Sequence, residues 1–229
     1  MKIAIIDYGA GNLFSVAGAC KKLGYDTVLT DDADTIAGSD RVIFPGVGNA
    51  VSAARSLAAR GLDKVIPTLR QPVLGICLGM QMMMEASDEG NTRGIGIFQG
   101  RVKNFRERDG ISKGAREEKM SGISEGYQGK TKNGVGNLYA VTIKVPHMGW
   151  NIIDKLQGPL FEGIDEDTAM YFVHSYYVPV NEYTVATGYY GGSFTAAMAR
   201  DNFFGCQFHP EKSGEKGLRI LKNFLTLEL

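Results

Sequence analysis

Hydrophobic and polar residues in the first third of the chain alternate between short apolar runs and longer amphipathic segments. Four short runs have the composition of buried parallel strands: residues 2–6, 25–30, 41–44 and 73–76. The segments between them favour helices: residues 13–23, 33–37 and 51–69, the last with candidate breaks near Gly61 and Pro67. Strands separated by helices indicate a parallel sheet with helices on both faces. We therefore predict an α/β fold with a mostly parallel central sheet.

The rest of the chain is richer in strands, with short or glycine turns between them. The predicted strands are residues 100–105, 138–145, 169–180, 183–190 and 194–208. Helices are predicted at 80–86, directly after the fourth strand, and at 217–227. A length of 229 residues suits one large α/β domain, so we predict a single domain over residues 1–229.

Residues 106–137 interrupt this pattern. The segment holds twelve charged residues and seven glycines among thirty-two, with few large apolar side chains. Such a composition buries too little surface to offset the entropy of ordering the chain. We interpret it as a polar, flexible insert on the surface. The alternative is a lid over an active site, since long loops are often functional.

Overall composition argues against several classes of function. Lys+Arg and Asp+Glu balance at 25 each, with no long run of either sign, so we expect no nucleic-acid or membrane-surface role. The apolar run at the N-terminus is too short for a signal peptide, and no stretch has the length of a membrane span. Three widely spaced cysteines indicate neither a disulfide framework nor a zinc site, and they fit a cytoplasmic protein.

The stretch Gly75-Ile-Cys77-Leu-Gly79 carries the strongest chemical signal. It follows a predicted strand and precedes a predicted helix, which is the context of a nucleophile elbow, with cysteine at the nucleophile position. A thiol on such a turn lies at the positive end of a helix, which favours the thiolate. The alternative for a lone cysteine is a buried structural residue beside a glycine turn.

An acid–base pair for this thiol lies near the C-terminus. His209 ends an apolar strand, and Glu211 follows two residues later across Pro210, which stiffens the link. A histidine oriented by a carboxylate can take the proton of a thiol and return it to a leaving group. We interpret His147 and His174 as structural histidines. By the same reasoning, Cys206 is a core residue.

Two glycine-rich loops are expected at the carboxyl edge of the sheet, where ligands bind in open α/β folds. In the first, Gly9 and Gly11 resemble a dinucleotide fingerprint, but Phe14 occupies the third glycine position, so no cofactor is expected. The second, Pro45-Gly-Val-Gly48, together with the backbone N–H of Leu78, is a candidate oxyanion hole. A plain glycine turn is the alternative.

Together, the Cys77 elbow and Gln207-Phe-His209-Pro-Glu211 resemble the class I (triad) glutamine amidotransferases, with their flavodoxin-like fold. More narrowly, the chain resembles the glutaminase subunits of imidazole glycerol phosphate synthase. The motifs that carry the narrower resemblance are Asp7-Tyr-Gly-Ala-Gly-Asn12, Pro45-Gly-Val-Gly48, Pro146-His-Met-Gly-Trp150-Asn151, Tyr171-Phe-Val-His-Ser-Tyr176 and His209-Pro-Glu-Lys-Ser213. The long 106–137 segment departs from that compact pattern.

The resemblance implies a role for each matching residue, and no metal. It implies a Cys-His-Glu triad, a backbone oxyanion hole, a set that holds glutamine and a set that contacts a partner. The triad would be Cys77, His209 and Glu211, and the oxyanion hole would be Gly46, Val47, Gly48 and Leu78. Glutamine would be held by Gln81, Glu89, Ser175 and Tyr176, and the partner would be contacted by Asn12, Trp150 and Lys212. For Trp150, a core or hinge position is the alternative.

The resemblance also implies a partner and a reaction. Family members release ammonia from glutamine and pass it to a (β/α)8 cyclase subunit in a heterodimer, which makes imidazole glycerol phosphate and an aminoimidazole carboxamide ribotide. Three alternatives share part of this pattern. One is a paralogous glutaminase that supplies ammonia for amination of a nucleotide-linked surface sugar. The others are a hydrolase of a different amide and a non-catalytic scaffold of the same fold.

Overall fold

The computed structural model describes residues 1–9, 11–108 and 143–228. Its centre is a nine-stranded sheet, of which one half is parallel. The parallel strands are β1 (Ile3–Ile6), β2 (Thr27–Thr30), β3 (Arg41–Gly46) and β4 (Val73–Cys77). They lie in the order β2-β1-β3-β4, and the last strand of the chain joins β4 in parallel. The predicted α/β class and its parallel strands are confirmed.

The other half of this sheet is antiparallel. Its strands are β8 (His147–Asp154), β9 (Thr168–His174), β11 (Thr184–Tyr189), β12 (Ser193–Arg200) and β13 (Phe203–Cys206). The order continues from β4 as β13-β12-β11-β8-β9. β13 therefore runs parallel to β4 and antiparallel to β12, which brings the C-terminal motif beside the elbow.

A smaller four-stranded sheet lies beside the main one. It consists of β5 (Met84–Ser87), β6 (Thr92–Arg93), β7 (Phe98–Asn104) and β10 (Tyr176–Tyr177), in the order β10-β7-β5-β6. The predicted helix at 80–86 is therefore wrong in its second half. Met84 and the residues after it pair with β7 instead, and strand pairing outweighs the helix propensity of these side chains.

Helices cover both faces of the main sheet. They are α1 (Leu13–Lys22), α2 (Ala33–Ala37), α3 (Ala50–Ala59), α4 (Leu62–Val65), α5 (Leu78–Met82) and α6 (Gly214–Leu225). Five short 3-10 helices span Ile66–Thr68, Glu89–Asn91, Phe105–Glu107, Pro159–Phe161 and Pro210–Lys212. Alternate residues of β1 enter two separate hydrophobic cores. Ile3 and Ile5 belong to the core that contains α1 and α6. Ala4 and Ile6 belong to the core that contains α2, α3 and α4.

Three strand predictions need correction. The strand predicted at 138–145 is wrong for residues 143–145, because the strand begins at His147; residues 138–142 lie outside the described residues. The predicted strand 169–180 divides at Ser175. The predicted strand 194–208 is a hairpin, because Asp201 turns the chain with φ 52°. Most of the proposed 106–137 insert lies outside the described residues.

Candidate active site

Cys77 lies on a strained turn between β4 and α5. Its φ is 54°, in the left-handed region that residues with a β-carbon rarely adopt, at a typical cost of about 1–3 kcal/mol. Gly75 and Gly79 allow the turn: a β-carbon on Gly75 would lie 2.8 Å from Met80 N, and one on Gly79 would meet the carbonyl of Phe44. The predicted elbow is thus present, and Cys77 is 6% exposed.

The glycine loop after β3 borders the same turn. Gly46 lies directly opposite Cys77 in the parallel register of β3 and β4. Val47 and Gly48 follow it, are exposed, and line one pocket together with Cys77 and Leu78. Gly48 has φ 104°, which suits glycine alone. The loop therefore lies beside the thiol, at the rim of the same pocket.

His209 and Glu211 form a buried pair. His209 Nδ1 lies 2.8 Å from Glu211 Oε1, and the two side chains are 2% and 1% exposed. Burial lowers the pKa of His209, but its interactions with Cys77 and Glu211 outweigh burial and raise that pKa to about 10. His209 Nε2 is buried without a hydrogen-bond partner among the described residues, so we interpret the influence of Cys77 as electrostatic.

One pocket brings most of the predicted site residues together. Its volume is about 310 Å³. Its lining includes Val47, Gly48, Cys77, Leu78, Gln81, Glu89, Ser175, Tyr176 and His209. Gly46 and Glu211 do not line it but lie directly behind Cys77 and His209. Residues far apart in sequence thus surround one cavity beside the thiol.

Two of the predicted substrate-binding side chains are already held by hydrogen bonds. Gln81 Nε2 donates to the carbonyl of Tyr176 at 3.0 Å and to Gln207 Oε1 at 2.8 Å. Glu89 Oε2 accepts from Ala50 N, at the start of α3, at 2.8 Å. Because both donors of the Gln81 amide are used, its Oε1 is the atom left for a ligand.

His147 and His174 are satisfied buried histidines, as predicted. His147 Nδ1 lies 2.9 Å from His174 Nε2, and His174 Nδ1 lies 2.7 Å from the carbonyl of Tyr176. Burial lowers the pKa of His147 to about 4 and, together with the charges of its neighbours, that of His174 to about 3. Both are therefore neutral near pH 7.

The residues predicted to contact a partner lie at the surface. Trp150 is 59% exposed, so the alternative of a core tryptophan is wrong. Its ring meets Tyr171 edge-on at 6.0 Å, and Lys212 Nζ lies 6.0 Å from the same Tyr171 ring. Asn12 is partly exposed and precedes α1, which packs against Pro210–Lys212.

Two buried residues near the thiol were missed by the sequence reasoning. Gln207 is fully buried and its Nε2 lies 3.6 Å from Cys77 Sγ. Tyr8 is buried and its hydroxyl has no partner among the described residues; burial and the charge of Cys77 hold its pKa well above the usual range. A polar residue at the end of an apolar strand was the available signal for Gln207.

Within residues 1–9, 11–108 and 143–228, no cluster of three or more His, Cys, Asp or Glu side chains could hold a metal ion. The same residues contain no helix of sufficient length and apolarity to span a membrane. The three cysteines are free and buried.

The fold and the pocket define a known class of protein. Residues 4–227 match the family description "Glutamine amidotransferase class-I". The chain belongs to the class I glutamine amidotransferase family.

The narrower resemblance is confirmed by curated relatives. The chain is 48% identical over 227 residues to imidazole glycerol phosphate synthase subunit HisH of Bacteroides fragilis, covering 99% of this chain and 100% of that one. It is 41% identical to the protein of the same name from Colwellia psychrerythraea, covering 99% and 93%.

Solved structures with low sequence identity support the fold. The structure of PurLQS from Thermotoga maritima superposes with a TM-score of 0.62 at 15% identity, covering 98% of this chain and 97% of that one. A structure described as a glutamine amidotransferase gives a TM-score of 0.64 at 13% identity, covering 97% and 96%.

Proposed function

We propose that this chain is the glutaminase subunit of imidazole glycerol phosphate synthase. It would hydrolyse glutamine and deliver the ammonia to a (β/α)8 cyclase subunit, for synthesis of imidazole glycerol phosphate and the aminoimidazole carboxamide ribotide in histidine biosynthesis. One observation carries the proposal: Cys77, backed by the His209–Glu211 pair, opens into a pocket of about 310 Å³. The family and the names of the curated relatives support the assignment to this synthase.

The proposed chemistry starts at the thiol. Cys77 attacks the side-chain amide carbon of glutamine, and the C–N bond breaks to give a γ-glutamyl thioester. His209 takes the proton of the attacking thiol and gives it to the departing ammonia. It then takes a proton from the water that hydrolyses the thioester and returns it to the Cys77 sulfur that leaves. Glu211 keeps the His209 ring in place through Nδ1.

The negative charge of the tetrahedral intermediate needs donors beside the thiol. Backbone N–H groups of the Gly46-Val47-Gly48 loop and of Leu78 are the candidates, because both segments border Cys77 in the pocket. A rigid set of backbone donors stabilises the intermediate without reorganising during the reaction.

The proposed glutamine site uses the far side of the same pocket. The carboxylate of Glu89 is an acceptor for the substrate's α-ammonium group, and it is held at the start of α3 by Ala50 N. Gln81 presents Oε1 to an N–H donor of the substrate. Ser175 and Tyr176 complete the wall and would contact the substrate through hydroxyl and backbone groups.

The proposed partner surface begins at the rim of the pocket. Met148, Trp150 and Ile152 alternate along β8 and are 62%, 59% and 42% exposed; we call them the β8 strip. A strip of neighbouring exposed apolar residues is typical of a protein contact, and tryptophan is a common anchor. Pro146, which lines the pocket, lies two residues from the strip, so a partner seated there would cover the pocket mouth.

Covering the mouth has a chemical purpose. Free ammonia is mostly protonated in neutral water, and ammonium is not a nucleophile, so an enclosed path preserves its reactivity. Asn12 and Lys212 are proposed to add polar contacts around the strip. Three free, buried cysteines suit the cytoplasm, where thiols stay reduced, and we propose that location.

The test is glutamate release from glutamine by the purified chain. It is measured alone, with a histidine-pathway cyclase subunit, and with that subunit plus its nucleotide substrate. We expect strong stimulation in the complete mixture and no activity in Cys77→Ala. Cys206→Ala is the matched control, because Cys206 is also buried but lies behind the elbow in β13.

The other outcomes separate the alternatives. Activity that requires Cys77 but never responds to the cyclase would move the chain to the sugar-aminating branch. Hydrolysis that persists in Cys77→Ala would overturn the proposed mechanism. The absence of hydrolysis under every condition would favour the scaffold.

A further inference from the structure

Gln207 lies between the Cys77 thiol and the side chain of Gln81, and it does not itself line the pocket. Gln207 is fully buried. It directly follows β13, which pairs in parallel with β4. Its Nε2 is 3.6 Å from Cys77 Sγ, and its Oε1 is 2.8 Å from Gln81 Nε2. Both ends of this amide are therefore engaged, one by the sulfur and one by Gln81.

The orientation of the Gln207 amide is fixed by a backbone carbonyl two steps away. The carbonyl of Tyr176 can only accept, so Gln81 must present its NH2 group there. The second N–H of that group then faces Gln207, which must present its oxygen. The Gln207 NH2 group is left facing Cys77 Sγ. The donor toward the sulfur thus follows from the hydrogen-bond network itself.

The network continues beyond Tyr176 into the buried histidines. Since the Tyr176 carbonyl accepts from His174 Nδ1, His174 Nε2 is the acceptor for His147 Nδ1. His147 Nε2 then accepts from Asn151 Nδ2 at 3.2 Å. Every donor in this chain of hydrogen bonds points toward the Tyr176 carbonyl. The other end of the chain of hydrogen bonds, at Asn151 and His147, lies on β8, so the carbonyl that orients Gln81 is itself fixed.

The sulfur has two polar contacts with opposite preferences. Cys77 Sγ lies 3.8 Å from the carbonyl of Val173, which can accept a hydrogen bond only from the protonated thiol. The Gln207 N–H can donate to either form, and its hydrogen bond strengthens when the sulfur becomes an anion. The Gln207 contact therefore favours the thiolate, whereas the Val173 contact favours the thiol.

We propose that Gln207 is the hydrogen-bond donor that stabilises the thiolate of Cys77 and fixes the direction of its attack. The proposal rests on the proposed role of Cys77 as nucleophile. The titratable groups that interact electrostatically with this sulfur are His209, Tyr8 and Cys206. Of the side chains around the thiol, Gln207 supplies a donor without carrying charge.

The test is the pH dependence of Cys77 alkylation by iodoacetamide, followed by mass spectrometry. In Gln207→Glu the acceptor for Gln81 remains, but the donor toward the sulfur is replaced by an acid oxygen. We expect at least about a tenfold slower alkylation at pH 7 and a profile displaced to higher pH, since tenfold corresponds to about 1.4 kcal/mol. Gln207→Met removes the donor without adding an acid and should give the same direction.

The matched control is Asn223→Asp. Asn223 is also a buried amide, but its Nδ2 donates to the carbonyls of Leu160 and Glu162, both at 2.9 Å, in the α6 layer. This variant should lower the melting temperature and leave the alkylation profile unchanged. The proposal is overturned if both Gln207 variants lose stability but keep the wild-type profile. Alkylation needs no glutamine, so this result is independent of whether Cys77→Ala abolishes glutaminase activity.

Discussion

Gly79 lies so close to Phe44 that a β-carbon on the glycine would overlap the Phe44 carbonyl oxygen. This contact presses the first turn of α5 onto β3, in the same place where β3 leads into the Gly46-Val47-Gly48 loop. The position of the thiol and the position of the candidate oxyanion donors are therefore set by one backbone approach. Glycine is required at residue 79 for space, because its φ is not in the left-handed region.

Gly79→Ala should destabilise the protein by at least about 2 kcal/mol, because the methyl group overlaps a backbone atom that cannot move freely. Glutaminase activity should fall as well, since any relief displaces the elbow or the loop. Gly18→Ala is the matched control: Gly18 is within α1 and a β-carbon there meets nothing within 4 Å. That change should stabilise by about 0.5–1 kcal/mol. Urea unfolding of both variants measures the difference, and equal stability would contradict the argument.

The sequence predicted the elbow because local rules determine it. A buried strand, two glycines and a short helix suffice, and the structure has them at Val73–Cys77 and Leu78–Met82. It did not predict β5 or β8, because both depend on distant partners. Met84–Ser87 pairs with β7, and His147–Asp154 carries glycine and polar residues that only pairing with β9 and β11 makes a strand.

The same distinction holds within the site. Motif spacing identified Cys77, because it lies in a familiar glycine pattern. It also identified the His209–Glu211 pair, because these two residues are close in sequence. Gln207 was visible in the motif, but its contact with Cys77 arises only because β13 lies beside β4. The His147–His174 contact likewise depends on β8 and β9 lying side by side in register. Tertiary register carries this information, and a single sequence does not display it.

Glu211→Gln should reduce kcat for glutamine hydrolysis by about 100-fold or more, because an amide no longer stabilises the protonated His209 ring. KM should change little, since Glu211 does not line the pocket. The matched control is Glu215→Gln, in the exposed first turn of α6, which should stay within about twofold. Steady-state kinetics of the cyclase-stimulated reaction give both constants. A loss confined to KM would assign Glu211 to substrate binding instead.

The raised pKa of His209 predicts a loss of stability at alkaline pH. Its pKa is about 10 in the folded protein, above the value of about 6.5 in an unfolded chain. The folded state thus holds this proton more tightly, and the resulting stabilisation is complete below pH 6.5 and disappears as the pH rises toward 10. His209→Gln should flatten this alkaline limb in unfolding measured at pH 6–10. A variant whose limb stays parallel to wild type would contradict the prediction.

The lowered pKa values of His147 and His174 predict a loss of stability at acid pH. They are about 4 and 3 in the folded protein, so the stabilisation from these neutral rings is complete above pH 6.5 and is lost as the pH falls toward those values. His147→Phe keeps the stacking with Phe172 and Tyr190 but removes one titrating group. It should cost about 1–3 kcal/mol at pH 7, because the acceptor of His174 loses its donor. The unfolding free energy of this variant, measured by urea unfolding, should decline less steeply from pH 6.5 to 4 than that of the wild type.

Trp150→Ala should separate partner binding from chemistry. An exposed tryptophan at the centre of a contact typically contributes about 2 kcal/mol or more, so we expect affinity for the cyclase subunit to fall at least about 30-fold. The stability of the isolated chain should stay nearly unchanged, since the ring rests mainly against Tyr171. Val180→Ala is the control, because Val180 is 50% exposed but lies between β10 and β11, outside the β8 strip. Titration calorimetry with the cyclase subunit measures both affinities. Equal affinities for the two variants would place the partner on another face of the molecule.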